Sequence, residues 1–311
     1  MTWRSGTDGI DADYTKRFAE WRGRPTTSNW INAHYQEWSW LTAPGLLTTL
    51  DGKNPVKAWD LLKDRPGISV LSMSMAGSDE LKQPAYDDAL RSCAAGELDD
   101  EWQAFAANAK AAGRTGDNTV VSLAHEFNGT WFPWNPKTVG LERWLACWRN
   151  IYVAIKSASD IRVAWVFSAT DHTEVSGDYA VASAWDAYPG DAFVDVIGVN
   201  RYDFKMLSRR TIRDWHETCE NKQDICYAAQ YAREHKKALG VPEWSVERGE
   251  YGYGDNPNFV TMMYKFFADN ADILAFENNF NNGGDGNWHL YPEAAFNAES
   301  ARRYQQLWRK R

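Results

Sequence analysis

The stretch TVVSLAHEFNGTWFPW, residues 119–134, decides the fold. Its opening residues are nearly all apolar and rich in valine, the composition of a strand covered on both faces, and the pattern stops at Ala124. His125 and Glu126 follow at once, then Asn128, Gly129 and the tryptophans Trp131 and Trp134. A titratable pair at the mouth of a buried strand points to a parallel sheet, whose chemistry gathers beyond the carboxyl ends of its strands.

The same signature recurs on either side. Candidate strands lie at Thr2–Ser5, Thr27–Asn32, Ile68–Met73, Thr119–Ala124, Arg162–Phe167, Val194–Val199, Gly240–Trp244 and Ile273–Glu277. Helical patterns separate them at Ala12–Trp21, Val56–Lys63, Glu101–Ala112, Leu141–Lys156, Cys226–Leu239 and Phe259–Asp269, with a closing helix at Ala298–Arg309. Alternation of strand and helix selects the α/β class. An open sheet that binds a nucleotide would show a glycine fingerprint between an early strand and its helix, and none is present, so no cofactor is expected. Gly283-Gly284-Asp285-Gly286 follows the eighth strand, opens no helix and reads as a loop. Polar and aromatic residues instead follow strand after strand: His125 and Glu126, Asp171 and His172, Tyr202 and Asp203, Glu243 and Trp244, Glu277 and Asn278. That is the pattern of a (β/α)8 TIM barrel, expected here as a single domain over residues 1–311.

Composition narrows the partners. With 34 basic against 42 acidic residues the net charge is −8, and no basic stripe stands out, which argues against nucleic acid and anionic membrane. No apolar run approaches the roughly 18 residues of a membrane span, and MTWRSGTDGI at the start lacks the basic and apolar regions of a signal peptide. Cys219 and Cys226 bracket a short polar loop and are expected to pair, with Cys93 and Cys147 a second pairing; the even count favours an oxidising, extracytoplasmic setting. A monomer is expected. Seventeen tryptophans exceed what a core of this size needs, so some are expected to form open platforms for flat apolar faces such as those of sugar rings.

The carboxylates carry the chemistry. Glu126 ends the fourth candidate strand and Glu243 the seventh, and two acids converging at a barrel mouth suggest glycoside hydrolysis, with one protonated to assist the leaving oxygen and one ionised to attack. Trp131 and Trp134 would roof Glu126 with apolar surface, and Tyr202 could donate to Glu243. Trp244, Asp171, His172 and Asn128 lie on the same rim and join the expected sugar-contacting set. A metal site built from His125, Glu126, Asp171 and His172 lacks ligand spacing, because adjacent strand residues face opposite ways unless the backbone turns between them.

These residues also carry a resemblance. HEFNGTWFPW at 125–134 closely resembles the His-Glu-x-Asn-Gly-x-Trp-(Phe/Tyr)-x-Trp signature of glycoside hydrolase family 26, the β-mannanase family of retaining (β/α)8 glycosidases. VDVIGVNRYD at 194–203 and LGVPEWSV at 239–246 look like its sixth and seventh strands, and WRSG at 3–6 with FAEWRGRP at 18–25 look like segments of actinobacterial-type members. The resemblance implies Glu126 as general acid/base, Glu243 as nucleophile, His125 beside the acid, Tyr202 positioning Glu243 and Trp131 as a wall of the sugar site, with a polysaccharide or oligosaccharide as substrate. Two segments depart from it. Ser72-Met73-Ser74-Met75 stands where the family commonly has a Trp-His pair, and the eighth strand ends Phe276-Glu277-Asn278-Asn279 rather than in tryptophan, so the glycan could be a β-mannan, another β-glucan or a bacterial exopolysaccharide. A carbohydrate-binding barrel without catalysis, and a transglycosylase using the same covalent intermediate, are the rival functions.

Overall fold

A computed structural model describes residues 1–9, 11–33, 37–49, 54–77, 85–205, 215, 219–281, 287–291 and 296–309. The glycine-rich segment at 283–286 lies outside them. The strands are β1 Ser5–Asp8, β2 Ser28–Asn32, β3 Leu47–Thr49, β4 Pro55–Lys57, β5 Ile68–Met73, β6 Thr119–Leu123, β7 Arg162–Ser168, β8 Val196–Tyr202, β9 Ala238–Ser245 and β10 Leu274–Asn279. Eight of them close into a barrel in the order β1-β10-β9-β8-β7-β6-β5-β2, with β3 and β4 a separate antiparallel pair; the fold is the (β/α)8 barrel.

The chain forms two compact units, the first made of Met1–Trp30, Ala169–Asp171 and Ile197–Arg311, the second of Ile31–Ser168 and His172–Val196. In the second unit, β5, β6 and β7 pair in parallel, with Ser72 beside Ser122 and Leu123 beside Trp165. Every residue of β5 and β6 is buried, which explains why small hydroxyl residues are the only polar ones among their apolar side chains. Helix α6, Leu141–Ala158, packs on α4, Ala85–Ala94, and α5, Asp99–Ala111, and the Cys93–Cys147 disulfide ties α4 to α6. Sequence reading missed α4, although its buried residues Tyr86, Ala89, Leu90 and Cys93 carry the helical spacing.

In the first unit, β1 pairs with β2 and β10, and β9 with β10. Helix α1, Ala12–Arg22, begins on an Asp11 cap and ends at Gly23 in the left-handed region, where a side chain would be strained. The first strand, Ser5–Asp8, lies later than the expected Thr2–Ser5, and its second residue must be glycine: a Cβ on Gly6 would stand 1.7 Å from the Ser28 carbonyl oxygen. The expected helix over 226–239 is Ile225–Glu234, stopped by left-handed Lys236 before β9 begins. The helix expected from Val56 starts at Ala58, since Pro55–Lys57 is β4. Arg201, at the end of β8, holds Asp224 in a fully buried ion pair of 2.7 Å, and Asp224 lies within the short loop that the Cys219–Cys226 disulfide closes, so both expected pairings are present. Helices Pro257–Asp269 and Ala298–Trp308 complete the layer. Among the described residues no helix is long and apolar enough to cross a membrane.

Tryptophan serves mainly as packing. Trp102, Trp134, Trp144, Trp148, Trp165, Trp244 and Trp308 are under 2% exposed, and among the described tryptophans Trp131 alone is exposed, at 46%. The platforms expected from the tryptophan surplus therefore reduce to very few indoles.

Candidate active site

The sequence-expected residues fall into two groups, one in each unit. In the second, the chain leaves β6 through two left-handed residues, Ala124 with φ 44° and Glu126 with φ 55°, on either side of His125. Such backbone is costly for residues other than glycine and persists where its surroundings enforce it. It also supplies the turn that lets consecutive side chains escape strand alternation. His125 is buried, its Nδ1 2.6 Å from the Ser72 hydroxyl, with its ring against Phe132 and Trp134.

Glu126 is half-buried and accepts a 2.8 Å hydrogen bond from Nε1 of Trp131. The bond depends on Gly129, because a Cβ there would lie 2.2 Å from the Trp131 ring. An antiparallel bridge from Gly129 brings up Tyr179, which meets Trp131 edge-on at 6.0 Å and stacks on exposed His172 at 4.2 Å. An aromatic row thus runs from His172 to the carboxylate. Tyr179 had no local sequence signal; only the bridge delivers it.

Two expected contacts are corrected here. Asn128 is buried and spends its amide on the backbone of Ser168, accepting from its N–H at 2.9 Å and donating to its carbonyl at 2.8 Å, so it pins the loop to the end of β7 instead of facing sugar. Trp134 is 0% exposed, donates to the His125 carbonyl at 2.8 Å and stacks on Phe132, so it braces the turn as a core residue and presents no open face.

In the first unit, Glu243 near the end of β9 is buried and accepts 2.7 Å from the hydroxyl of Tyr202 at the end of β8. Tyr202 is flanked by Phe280, edge-on at 6.0 Å, and by Trp288 at 5.9 Å. Trp288 follows the eighth strand at a distance that sequence spacing could not assign to any site. Asp171 lies exposed in this unit.

Trp244 is the third correction. It is 0% exposed and donates 2.6 Å to Glu277, so its indole is a core residue. The other oxygen of Glu277 accepts from Trp308 at 3.0 Å and Trp3 at 3.4 Å, so three indoles clamp one buried carboxylate. Burial pushes the Glu277 pKa up, against the pull of its donors and of Arg22. Adjacent residues of β9 thus serve different layers, as strand alternation requires.

Comparisons with known proteins follow this geometry. Residues 88–226 match the model of glycosyl hydrolase family 26. A mannan endo-1,4-β-mannosidase of Bifidobacterium adolescentis is 28% identical over 208 residues, 63% of this chain; the chain spans one fifth of that relative's length. The catalytic domain of a Bacillus sp. JAMB-750 endo-β-1,4-mannanase superposes with a TM-score of 0.68 at 17% identity, covering 99% of this chain and 86% of that one. A Cellulomonas fimi endo-β-1,4-mannanase double mutant gives 0.61 at 20% identity, with 90% and 63% covered. These two likenesses show the fold.

Proposed function

With residues 88–226 of this chain matching the model of glycosyl hydrolase family 26, we propose that it is a retaining endo-β-glycosidase of that family, working as one catalytic domain on a β-linked polysaccharide, β-mannan first among the candidates. The observation that carries this reading is a pair of glutamates after parallel barrel strands, each held by one aromatic donor: Glu243 by Tyr202, Glu126 by Trp131. Parallel strands of a barrel deliver their carboxyl ends to one rim. The mechanism requires the two carboxyl groups about 5–5.5 Å apart across the scissile bond. Glu243, fixed by the phenol, attacks the anomeric carbon while Glu126 gives its proton to the departing oxygen. Glu126 then takes a proton from water, whose oxygen displaces Glu243 and restores the β-configuration. Trp131, half-exposed and tethered to Glu126, offers its face to the sugar. The name of the Bifidobacterium relative supports β-1,4-mannan as the first substrate to try, and the two disulfides suit work in an oxidising, extracytoplasmic compartment.

Two variants test the roles. Glu243→Ala should turn over no substrate, whereas Glu126→Ala should still be glycosylated by substrates with a dinitrophenolate leaving group and stall at the ester. Added azide should release that ester as a β-glycosyl azide, while with Glu243→Ala it should give the inverted product. A wild-type product of inverted configuration would overturn double displacement. A protein that binds oligosaccharides without cleaving them would be a binding barrel, and one that prefers sugar acceptors to water a transglycosylase.

A further inference from the structure

Beside Tyr202 lies an indole that neither the sequence pattern nor the mechanism uses. Trp288 packs its ring against Tyr202 at 5.9 Å and against Phe280 at 5.8 Å. Its backbone is fixed from several sides. The Ser245 hydroxyl donates to its carbonyl at 2.6 Å, Asn297 donates to the carbonyls of Asn287 and His289 at 3.2 and 3.0 Å, and Asn281 accepts from the N–H groups of Leu290 and Tyr291 at 2.9 and 3.1 Å. Despite this precision, Nε1 of Trp288 is buried and finds no acceptor among the described residues. Trp3, Trp244 and Trp308 of the same unit, by contrast, all spend their N–H groups on Glu277. A buried indole N–H is normally satisfied, and one left without an acceptor beside the proposed nucleophile's tyrosine is a donor that a bound sugar would satisfy.

We infer that Trp288 is a specificity-determining residue: its Nε1–H donates to a hydroxyl of the sugar bound next to Tyr202, while its ring, with Phe280, walls that subsite. The inference rests on the glycosidase reading above and extends it to a residue contributed after the eighth strand. Because Ser245 lies two residues beyond Glu243 on β9 and holds the Trp288 carbonyl, the donor is placed by the strand that carries the nucleophile. A hydroxyl that meets the N–H is selected over its epimer, which leaves the donor unpaired.

The test compares Trp288→Phe, which keeps an aromatic wall and deletes the donor, with the wild type on mannan, mixed-linkage glucan and xylan oligosaccharides, and sets a deoxy-sugar series beside them. On the preferred glycan, kcat/KM should fall about tenfold in Trp288→Phe, with the melting temperature unchanged, and one deoxy position should cost the wild type that factor while costing the variant nothing more. Equal kinetics for Trp288→Phe and wild type would overturn the inference and leave the glycosidase reading standing. If the wild type cleaves no glycan, that reading falls, and Trp288 is judged by fluorescence titration with the same oligosaccharides: weaker binding by Trp288→Phe supports the donor role, whereas equal affinity or no binding overturns it.

Discussion

Tyr202 donates its hydroxyl hydrogen to Oε2 of Glu243 across 2.7 Å, and both side chains are buried. A hydrogen bond to a buried carboxylate is worth roughly 1.5–3 kcal/mol. Tyr202→Phe should therefore lower kcat/KM by about ten- to a hundredfold while the ring stays packed on Phe280 and Trp288. Steady-state kinetics with a melting curve would check it; wild-type activity in the variant would remove Tyr202 from the mechanism.

Trp131 has two duties that different substitutions separate. Trp131→Ala removes the exposed face and should raise the barrier by about 1–3 kcal/mol on polysaccharide with little change in stability. Trp131→Phe keeps a face but deletes the N–H to Glu126, so its loss should concentrate on substrates whose leaving group needs a proton and largely spare dinitrophenyl glycosides. Gly129→Ala should reproduce the Trp131→Phe pattern, since its methyl would occupy space the indole now fills. A sharp drop in melting temperature with unchanged specific activity for Trp131→Ala would make the indole a packing residue.

The disulfides should contribute unequally. Cys93 and Cys147 are 54 residues apart and Cys219 and Cys226 only 7. By chain-entropy arithmetic the long closure is worth about 4 kcal/mol and the short one about 2. Denaturant titration of Cys93→Ser/Cys147→Ser and Cys219→Ser/Cys226→Ser pairs should show the larger loss for the first; the reverse order would mean that the short loop carries packing its length does not suggest.

The barrel was legible because it rests on a local pattern, apolar strands followed at once by polar residues, and the same pattern drew attention to Glu126 and Glu243. The failures share a cause. Asn128, Trp134 and Trp244 sit among chemical residues in sequence, but the left-handed turns at Ala124 and Glu126, and the alternation along β9, send them into the protein. Tyr179 and Trp288 reach their partners through a backbone bridge and a pinned segment far along the chain, and no spacing rule encodes such meetings.

Glu277 makes stability depend on pH in a definite direction. Burial raises its folded pKa above the ordinary 4.5. The fold thus favours the neutral acid, and the stability this contributes is complete below about 4.5 and is lost as pH rises through the raised value. Glu277→Gln, neutral throughout, should gain on the wild type as pH climbs from 4.5. Melting temperatures of both across that range would show it; a constant difference would mean that the indoles and Arg22 fully offset burial.

The same carboxylate fastens the two ends of the chain. Trp3 and Trp308 both donate to Oε1 of Glu277, so residues from opposite ends of the chain meet at one atom. Glu277 has its full set of donors only when segments far apart in sequence, around Trp3 and in the helix Ala298–Trp308, have both docked on β10.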